Sequence, residues 1–256
     1  MSIYYHEVGN EAEIFKLCFE KRLPLMIKGP TGCGKSQFVA AMAEKLKRPL
    51  IKVSCNEDTS AADLIGRFLI KNMETCWQDG PVVRAVRTGA ILYLDEVAEA
   101  REDVIVVLHS LTDHRREIYI DRLNESLSAP DDFMCVASFN PGYQHGFKEL
   151  KPSTRQRFVS LSLHYPSLEI ETKILVHLTG VSPHIAKTLV AFADGVRKQP
   201  QLGLRETIST RLLVYSATLI QAGMHPRLAL LHAAVESLSD DIKIIQALKD
   251  LIALHF

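Results

Sequence analysis

The stretch GPTGCGKS, residues 29–36, decides how the rest of the chain is read. It fits G-x-x-x-x-G-K-[ST], with Gly29, Gly34, Lys35 and Ser36 at the fixed places and Gly32 adding backbone freedom. Glycines are needed there because backbone N–H groups must turn inward and come close to phosphate oxygens. A helix starting near Lys35 would aim its positive dipole end at the same anion. In this reading Lys35 reaches the β- and γ-phosphates and Ser36 places its hydroxyl on Mg2+. Pro30, Thr31, Cys33 and Gln37 complete the candidate nucleotide-binding stretch. A glycine-rich turn that binds nothing is the competing reading, and the flanks decide against it. A short apolar run, Leu23 to Ile27, leads into the loop, and Phe38, Val39, Met42, Ala43 and Leu46 follow at helical spacing.

Further short apolar runs, LIKVSC, AILYLDE, FMCVASFN and FVSLSLHY, are separated by helical stretches such as REDVIVVLHSL. This alternation predicts a parallel sheet with crossover helices. AILYLDE carries Asp95 and Glu96 to the C-terminal end of a strand, where open α/β sheets bind ligands. Asp95 would hold the magnesium, directly or through water, and Glu96 would orient and deprotonate the attacking water. An acidic pair after a strand also serves as a helix cap, but the phosphate loop upstream favours the chemical role. FMCVASFN ends in Asn140, whose amide would bond the γ-phosphate or the water; a turn residue before Pro141 and Gly142 is its other role. Phosphoryl transfer also needs a cation for transition-state charge, and an arginine lent by a neighbour is worth about 10³–10⁵ in rate. Arg155 and Arg157 in KPSTRQRF are the candidates, with surface ion pairing as the alternative. Arg211, in TISTRLL, opens a later helix and would cap the nucleotide.

Pro166 ends the α/β regime. Beyond it Ile185, Leu189, Phe192 and Val196 share one helical face, as do Ile245, Leu248, Leu251 and Ile252. The expectation is an α/β nucleotide-binding domain over 1–165 and an all-helical lid domain over 166–256. Composition narrows the partners. Thirty basic and thirty acidic residues cancel, which argues against a chain built mainly to neutralise nucleic-acid phosphates. Five cysteines at wide spacings, without a CxxC pair, read as reduced thiols rather than a zinc site. Neither a secretory leader pattern nor an apolar run of membrane-spanning length is present, so a cytoplasmic chain with no membrane insertion is expected.

With these residues in hand, the chain resembles an AAA+ ATPase of the MoxR type. Gly29 to Ser36 resemble Walker A, Leu92 to Glu96 Walker B, and Asn140 sensor 1; Arg157, with Arg155 as alternate, resembles the arginine finger, and Arg211 sensor 2. More narrowly, WQDGPVVRAVRTGAILYLDEVAEAR, FNPGYQ, LKPSTRQRF and STRLLVYSATLI are similar to the CbbQ/NorQ/NirQ subfamily, over nearly the whole chain and with no motif residue missing. The resemblance implies ATP and Mg2+, a homo-oligomeric ring, usually a hexamer, and a partner carrying a von Willebrand factor A domain. It implies a chaperone that remodels a client metalloenzyme: ribulose bisphosphate carboxylase (Rubisco), freed of inhibitory sugar phosphates, or a nitric oxide or nitrite reductase. The carboxylase is the preferred client. GRFLIKNMETCWQDGP resembles the family's helix-2 insertion, and RREIYIDRLNESLSAPDDF, with Ile118 and Ile120 alternating, reads as the hairpin before sensor 1. Both are expected to face a partner or the ring pore, or else to be ordinary surface excursions. Cys33, inside the loop near Lys35, is read as a small residue that fits there rather than a redox switch. A small P-loop kinase is the rival from another class; Glu96 directly after Asp95 favours water over an acceptor molecule. A DNA-handling ATPase is disfavoured by the charge balance.

Overall fold

The computed structural model describes residues 3–141 and 150–256. By internal contacts the described chain divides into two compact units. One takes residues 3–29, 35–141 and 150–163; the other takes His164–Phe256 together with the loop residues Pro30–Gly34.

The first unit opens with α1 (Glu11–Glu20), then β1 (Leu25–Lys28), α2 (Lys35–Lys45) and β2 (Leu50–Ser54). A short helix α3 (Ala61–Ile65) starts on a capping box in which Ser60 and Asp63 satisfy each other's backbone N–H groups. It leads to the antiparallel hairpin β3 (Gly66–Lys71) and β4 (Glu74–Asp79), then to α4 (Pro81–Thr88) and β5 (Ile91–Asp95). After α5 (Glu102–Leu111) a second hairpin pairs β6 (Glu117–Ile120) with β7 (Glu125–Ser128), and β8 (Met134–Phe139), α6 (Pro152–Arg155) and β9 (Val159–Ser162) follow. Five strands form one parallel sheet in the order β2-β5-β8-β1-β9. The parallel sheet expected from the apolar runs is the one observed, and its core strands are near-continuous apolar runs because both faces are covered. Leu25, Ile27, Ile91, Leu92, Leu94, Val136 and Ala137 are wholly buried. The order reverses at β1, which lies between β8 and β9. Crevices at the C-terminal ends of strands open at such a switch point, and the loop after β1 is GPTGCGKS.

The two hairpins differ in what they expose. In the second, Ile118 and Ile120 are buried in the core and Tyr119 faces outward, so the predicted alternation is a packing register. In the first, Phe68 and Trp77 pair edge-to-face near the base, while Ile70 is 81% and Met73 100% exposed. Asn72 and Met73 form the turn with φ of 51° and 65°. A methionine in that left-handed region is uncommon and carries a backbone cost.

The second unit is helical: α7 (Leu168–Thr179), α8 (Pro183–Arg197), α9 (Thr210–Gln221) and α10 (Pro226–Leu230). A π-helical turn at Leu231–Val235 then runs into α11 (Glu236–Leu238), and α12 (Ile242–His255) closes the chain. Ser167, Ser182 and Ser209 cap α7, α8 and α9, each hydroxyl accepting an N–H from the first turn. Leu189, Phe192, Val196, Leu248 and Ile252, placed by periodicity on two helical faces, are buried in one core with Leu213 and Leu230. That core holds one charged pair: Glu171, wholly buried, takes a two-pronged contact from Arg197 at 2.7 and 2.8 Å. Such a pair is costly to break, because the group left behind keeps its charge and loses its partner.

Among the described residues no helix is long and apolar enough to cross a membrane. The five cysteines are unpaired by disulfides, and four of them are buried. Burial, with Asp95 and Glu96 adding to it, pushes the Cys55 thiol up to about 12, so it stays neutral at physiological pH.

Candidate active site

Three neighbouring parallel strands, β1, β8 and β5, end side by side, and the residues just past them converge. The register aligns Lys28 with Phe139 and Leu94 with Ala137, so the loop after β1, Asn140 after β8 and Asp95 on β5 share the C-terminal end of the sheet. Lys35, 7% exposed, donates from Nζ to the carbonyl of Gly29 at 2.9 Å and to Asn140 Oδ1 at 2.6 Å. Ser36 donates from Oγ to Asp95 Oδ2 at 2.9 Å. In the glycine loop, Gly32 and Gly34 take φ of 68° and 101°, values that L side chains rarely adopt. A Cβ on Gly32 would also lie 2.6 Å from the Cβ of Ser209, so the position is closed to a side chain by space as well as by torsion.

Asp95 is the hub of a polar cluster set in apolar strands. Its Oδ1 accepts from Tyr93 at 2.8 Å and from Ser138 at 2.6 Å, while Oδ2 accepts from Ser36. Burial alone would raise its pKa; the three hydroxyl donors and the Lys35 charge outweigh burial and hold it below the ordinary carboxylate value. Tyr93 moves the other way, raised first by burial. Ser138 also accepts the backbone N–H of Glu96 at 3.3 Å. Glu96 itself is exposed and stands at φ 56°, ψ 44°. A left-handed glutamate costs on the order of 1–3 kcal/mol, the kind of strain that clusters at working sites.

Because the folded pKa of Asp95 is depressed, its contribution is fully present above the unfolded value of 3.8 and is lost as pH falls through the folded one. Tyr93→Phe removes one donor to the anion. It is expected to destabilise the chain by about 1–3 kcal/mol near pH 7. The gap should narrow in acid, as pH falls through the depressed folded value and Asp95 is protonated. Denaturant unfolding near neutrality and in acid checks this; an equal gap at both would remove the charge-linked role.

The remaining sequence candidates fall into four places. Gln37 is exposed and donates to the carbonyl of Tyr4. Pro30, Thr31 and Cys33 lie in the loop segment that groups with the helical unit, where the Thr31 hydroxyl donates to Glu206 at 2.5 Å. Arg211, exposed in the first turn of α9, has its Cβ 3.3 Å from a Cβ placed on Gly32. Arg155 and Arg157 are half-buried around the end of α6, and among the described residues neither makes an ion pair. Arg157 donates from Nη1 to the Ser153 carbonyl at 2.7 Å, and its buried Nε has no acceptor among the described residues. Of FNPGYQ, Gly142, Tyr143 and Gln144 lie outside the described residues. Tyr93 and Ser138 were not singled out from sequence. The signal was period two: each stands two residues before Asp95 or Asn140, on the same face of an otherwise apolar strand.

A five-stranded parallel sheet with a glycine loop after its switch-point strand, an Asp-Glu pair ending a neighbouring strand and a helical unit later in the chain define a P-loop AAA+ domain with a helical lid. The AAA domain model of the dynein-related subfamily matches residues 24–158, and the CbbQ/NirQ/NorQ C-terminal model matches residues 171–255. The chain therefore belongs to the CbbQ/NirQ/NorQ family of AAA+ proteins. It is 50% identical over 252 residues to the denitrification regulatory protein NirQ of Pseudomonas aeruginosa, covering 98% of this chain and 97% of that protein. Protein CbbQ of Hydrogenophilus thermoluteolus is 51% identical over 246 residues, with 96% and 92% covered. Protein NorQ of Paracoccus denitrificans is 49% identical over 253 residues, with 99% and 94% covered. Among solved structures a RuvB variant from Thermotoga maritima superposes with a TM-score of 0.58 at 14% identity, covering 96% of this chain and 71% of that one, a likeness of fold.

Proposed function

We propose that this chain is an ATPase that uses hydrolysis to remodel a metalloenzyme client, acting as a homo-oligomeric ring with a von Willebrand factor A-domain partner. One observation carries the enzymatic part: Lys35 meets Asn140, and Ser36 meets Asp95, at the switch point of a parallel sheet. A buried ammonium and a loop with two left-handed glycines suit a polyphosphate. Ser36 and Asp95 are adjacent hard oxygen donors, the kind Mg2+ takes, and they would hold it. Mg2+, when bound with ATP, neutralises charge on the phosphoryl oxygens. Lys35 binds the β- and γ-phosphates, and Asn140, already on its ammonium, keeps it aimed. Glu96 takes the proton of the attacking water. Exposed and held off the strand by its own backbone, its carboxylate is clear of the hydroxyl cluster that stabilises the Asp95 anion. Arg157 supplies transition-state charge to a neighbouring subunit, with Arg155 as its alternate. Arg211, a cation in the first turn of α9, is unfavourably placed against the helix dipole unless an anion sits there, which fits a nucleotide phosphate.

The client surface is assigned to the first hairpin, which exposes two large apolar side chains, Ile70 and the left-handed Met73, near its turn. The preferred client is ribulose bisphosphate carboxylase. Relatives named CbbQ, NirQ and NorQ stand at 51%, 50% and 49% identity, so nitrogen-oxide reductases remain the second reading. Capture of client with Glu96→Gln and ATP from the source organism's lysate tests this. Carboxylase subunits with a von Willebrand-type protein are expected; reductase subunits in their place would move the client and leave the mechanism standing. No capture, with wild-type hydrolysis per subunit unchanged on dilution, would overturn the ring-motor reading.

A further inference from the structure

We propose that Tyr165 is a positioning residue for the phosphate loop, set in place by the buried Glu171–Arg197 pair of the helical unit. The proposal rests on reading residues 29–36 as a nucleotide site. The Tyr165 hydroxyl donates to the backbone carbonyl of Thr31 at 3.0 Å. Its ring lies under the Arg197 guanidinium, whose central carbon is 4.1 Å from the ring centroid. Arg197 is itself fixed on every edge that matters. Nη1 and Nη2 donate to the two oxygens of Glu171 at 2.7 and 2.8 Å, and Nε donates to the Ile208 carbonyl at 2.8 Å. A planar fork bound along its edges has one orientation, and a ring stacked on its face inherits that orientation. Glu171 also accepts the hydroxyl of Thr210 at 2.6 Å, which ties it to the first residue of α9. Its neighbour Ser209, the α9 cap, stands against Gly32.

One buried carboxylate thus organises two contacts on the loop: Tyr165 on the Thr31 carbonyl, and the start of α9 on Gly32. The first has a direct consequence for anion binding. In a trans peptide the C=O of one residue and the N–H of the next point to opposite sides. Holding the Thr31 carbonyl toward Tyr165 therefore turns the Gly32 N–H the other way, as a loop of converging donors needs. A buried ion pair is a poor choice where stability alone is wanted, since apolar residues of similar size do as well or better. Fixing the direction of a ring is something apolar residues do less well.

Tyr165→Phe in the full-length protein keeps the ring and the stacking and removes only the hydroxyl. Losing one hydrogen bond should weaken binding of ATP and of ADP by roughly 3- to 10-fold. The turnover number at saturating ATP should stay within about twofold, so that KM carries the loss. Without nucleotide, amide hydrogen exchange in residues 31–34 should be faster than in the wild type. Unchanged exchange in the loop would overturn the proposal, as would a fall in turnover at constant KM. Lys35→Ala, run alongside, separates the two readings. If it binds ATP like the wild type, the nucleotide site is misread, while the exchange measurement still decides for or against Tyr165. Arg197→Lys, which keeps the charge and loses the fork, should reproduce the faster loop exchange.

Discussion

Glu96→Gln is expected to bind ATP as tightly as the wild-type chain and to hydrolyse it about 10²–10⁴-fold more slowly, the range a general base contributes. That loss is roughly 3–5 kcal/mol of transition-state stabilisation. The substitution is unusually clean at this position. Glu96 is exposed, and the cluster around Asp95 uses its backbone N–H rather than its carboxylate. Glutamine keeps the length and the left-handed backbone, so Asp95, Ser138 and Lys35 have no reason to move, and stability should change by no more than about 0.5 kcal/mol. Equilibrium nucleotide binding and single-turnover hydrolysis read the two halves separately. A fall of less than about tenfold would show that another group takes the proton. Weakened binding instead would place the Glu96 charge among the contacts that hold the nucleotide.

Residues whose place in the fold follows from chain neighbours were legible in the sequence: the loop with its strand and helix, the strand ending in Asp95, Asn140 closing another apolar run. Strand order was not. That β5 and β8 adjoin is what brings Ser138 onto Asp95 and lets Tyr93 bridge them. In the sequence these are two polar residues in apolar runs 45 positions apart. The Tyr165 contact to Thr31 spans 134 positions and engages a backbone carbonyl, which no residue pattern marks. The two hairpins divide for a local reason. Alternating Ile118 and Ile120 announce β6, because a core face imposes period two. The turn of the first hairpin is Asn72-Met73 rather than the Asn-Gly its torsions favour, so the usual hairpin signal is missing there.

Arg157→Ala is expected to retain ATP binding and to lose about 10³–10⁵-fold in hydrolysis, the worth of an arginine acting in trans. Arg155→Ala should lose less than about threefold, as expected of a residue that stays out of the neighbour's site. Among the described residues Arg157 is poorly served. One Nη donates to the Ser153 carbonyl, while the buried Nε has no acceptor among the described residues. A buried donor left unpaired costs about 1–3 kcal/mol, which an acceptor brought by another subunit would recover. Its charge is also felt locally: burial first, and Arg157 second, push the His109 pKa down, so the nearby imidazole is neutral and does not compete for an anion. The decisive measurement mixes two inactive proteins. A ring containing both Glu96→Gln and Arg157→Ala subunits has interfaces where an intact Glu96 faces a neighbour's intact Arg157, and those interfaces should hydrolyse ATP. Activity recovered on mixing, greatest near equal proportions and absent from either variant alone, requires that the arginine be borrowed. Without recovery, the finger acts within its own subunit. A larger loss from Arg155→Ala than from Arg157→Ala would exchange the two roles, and the same mixing with Arg155→Ala would then have to restore activity.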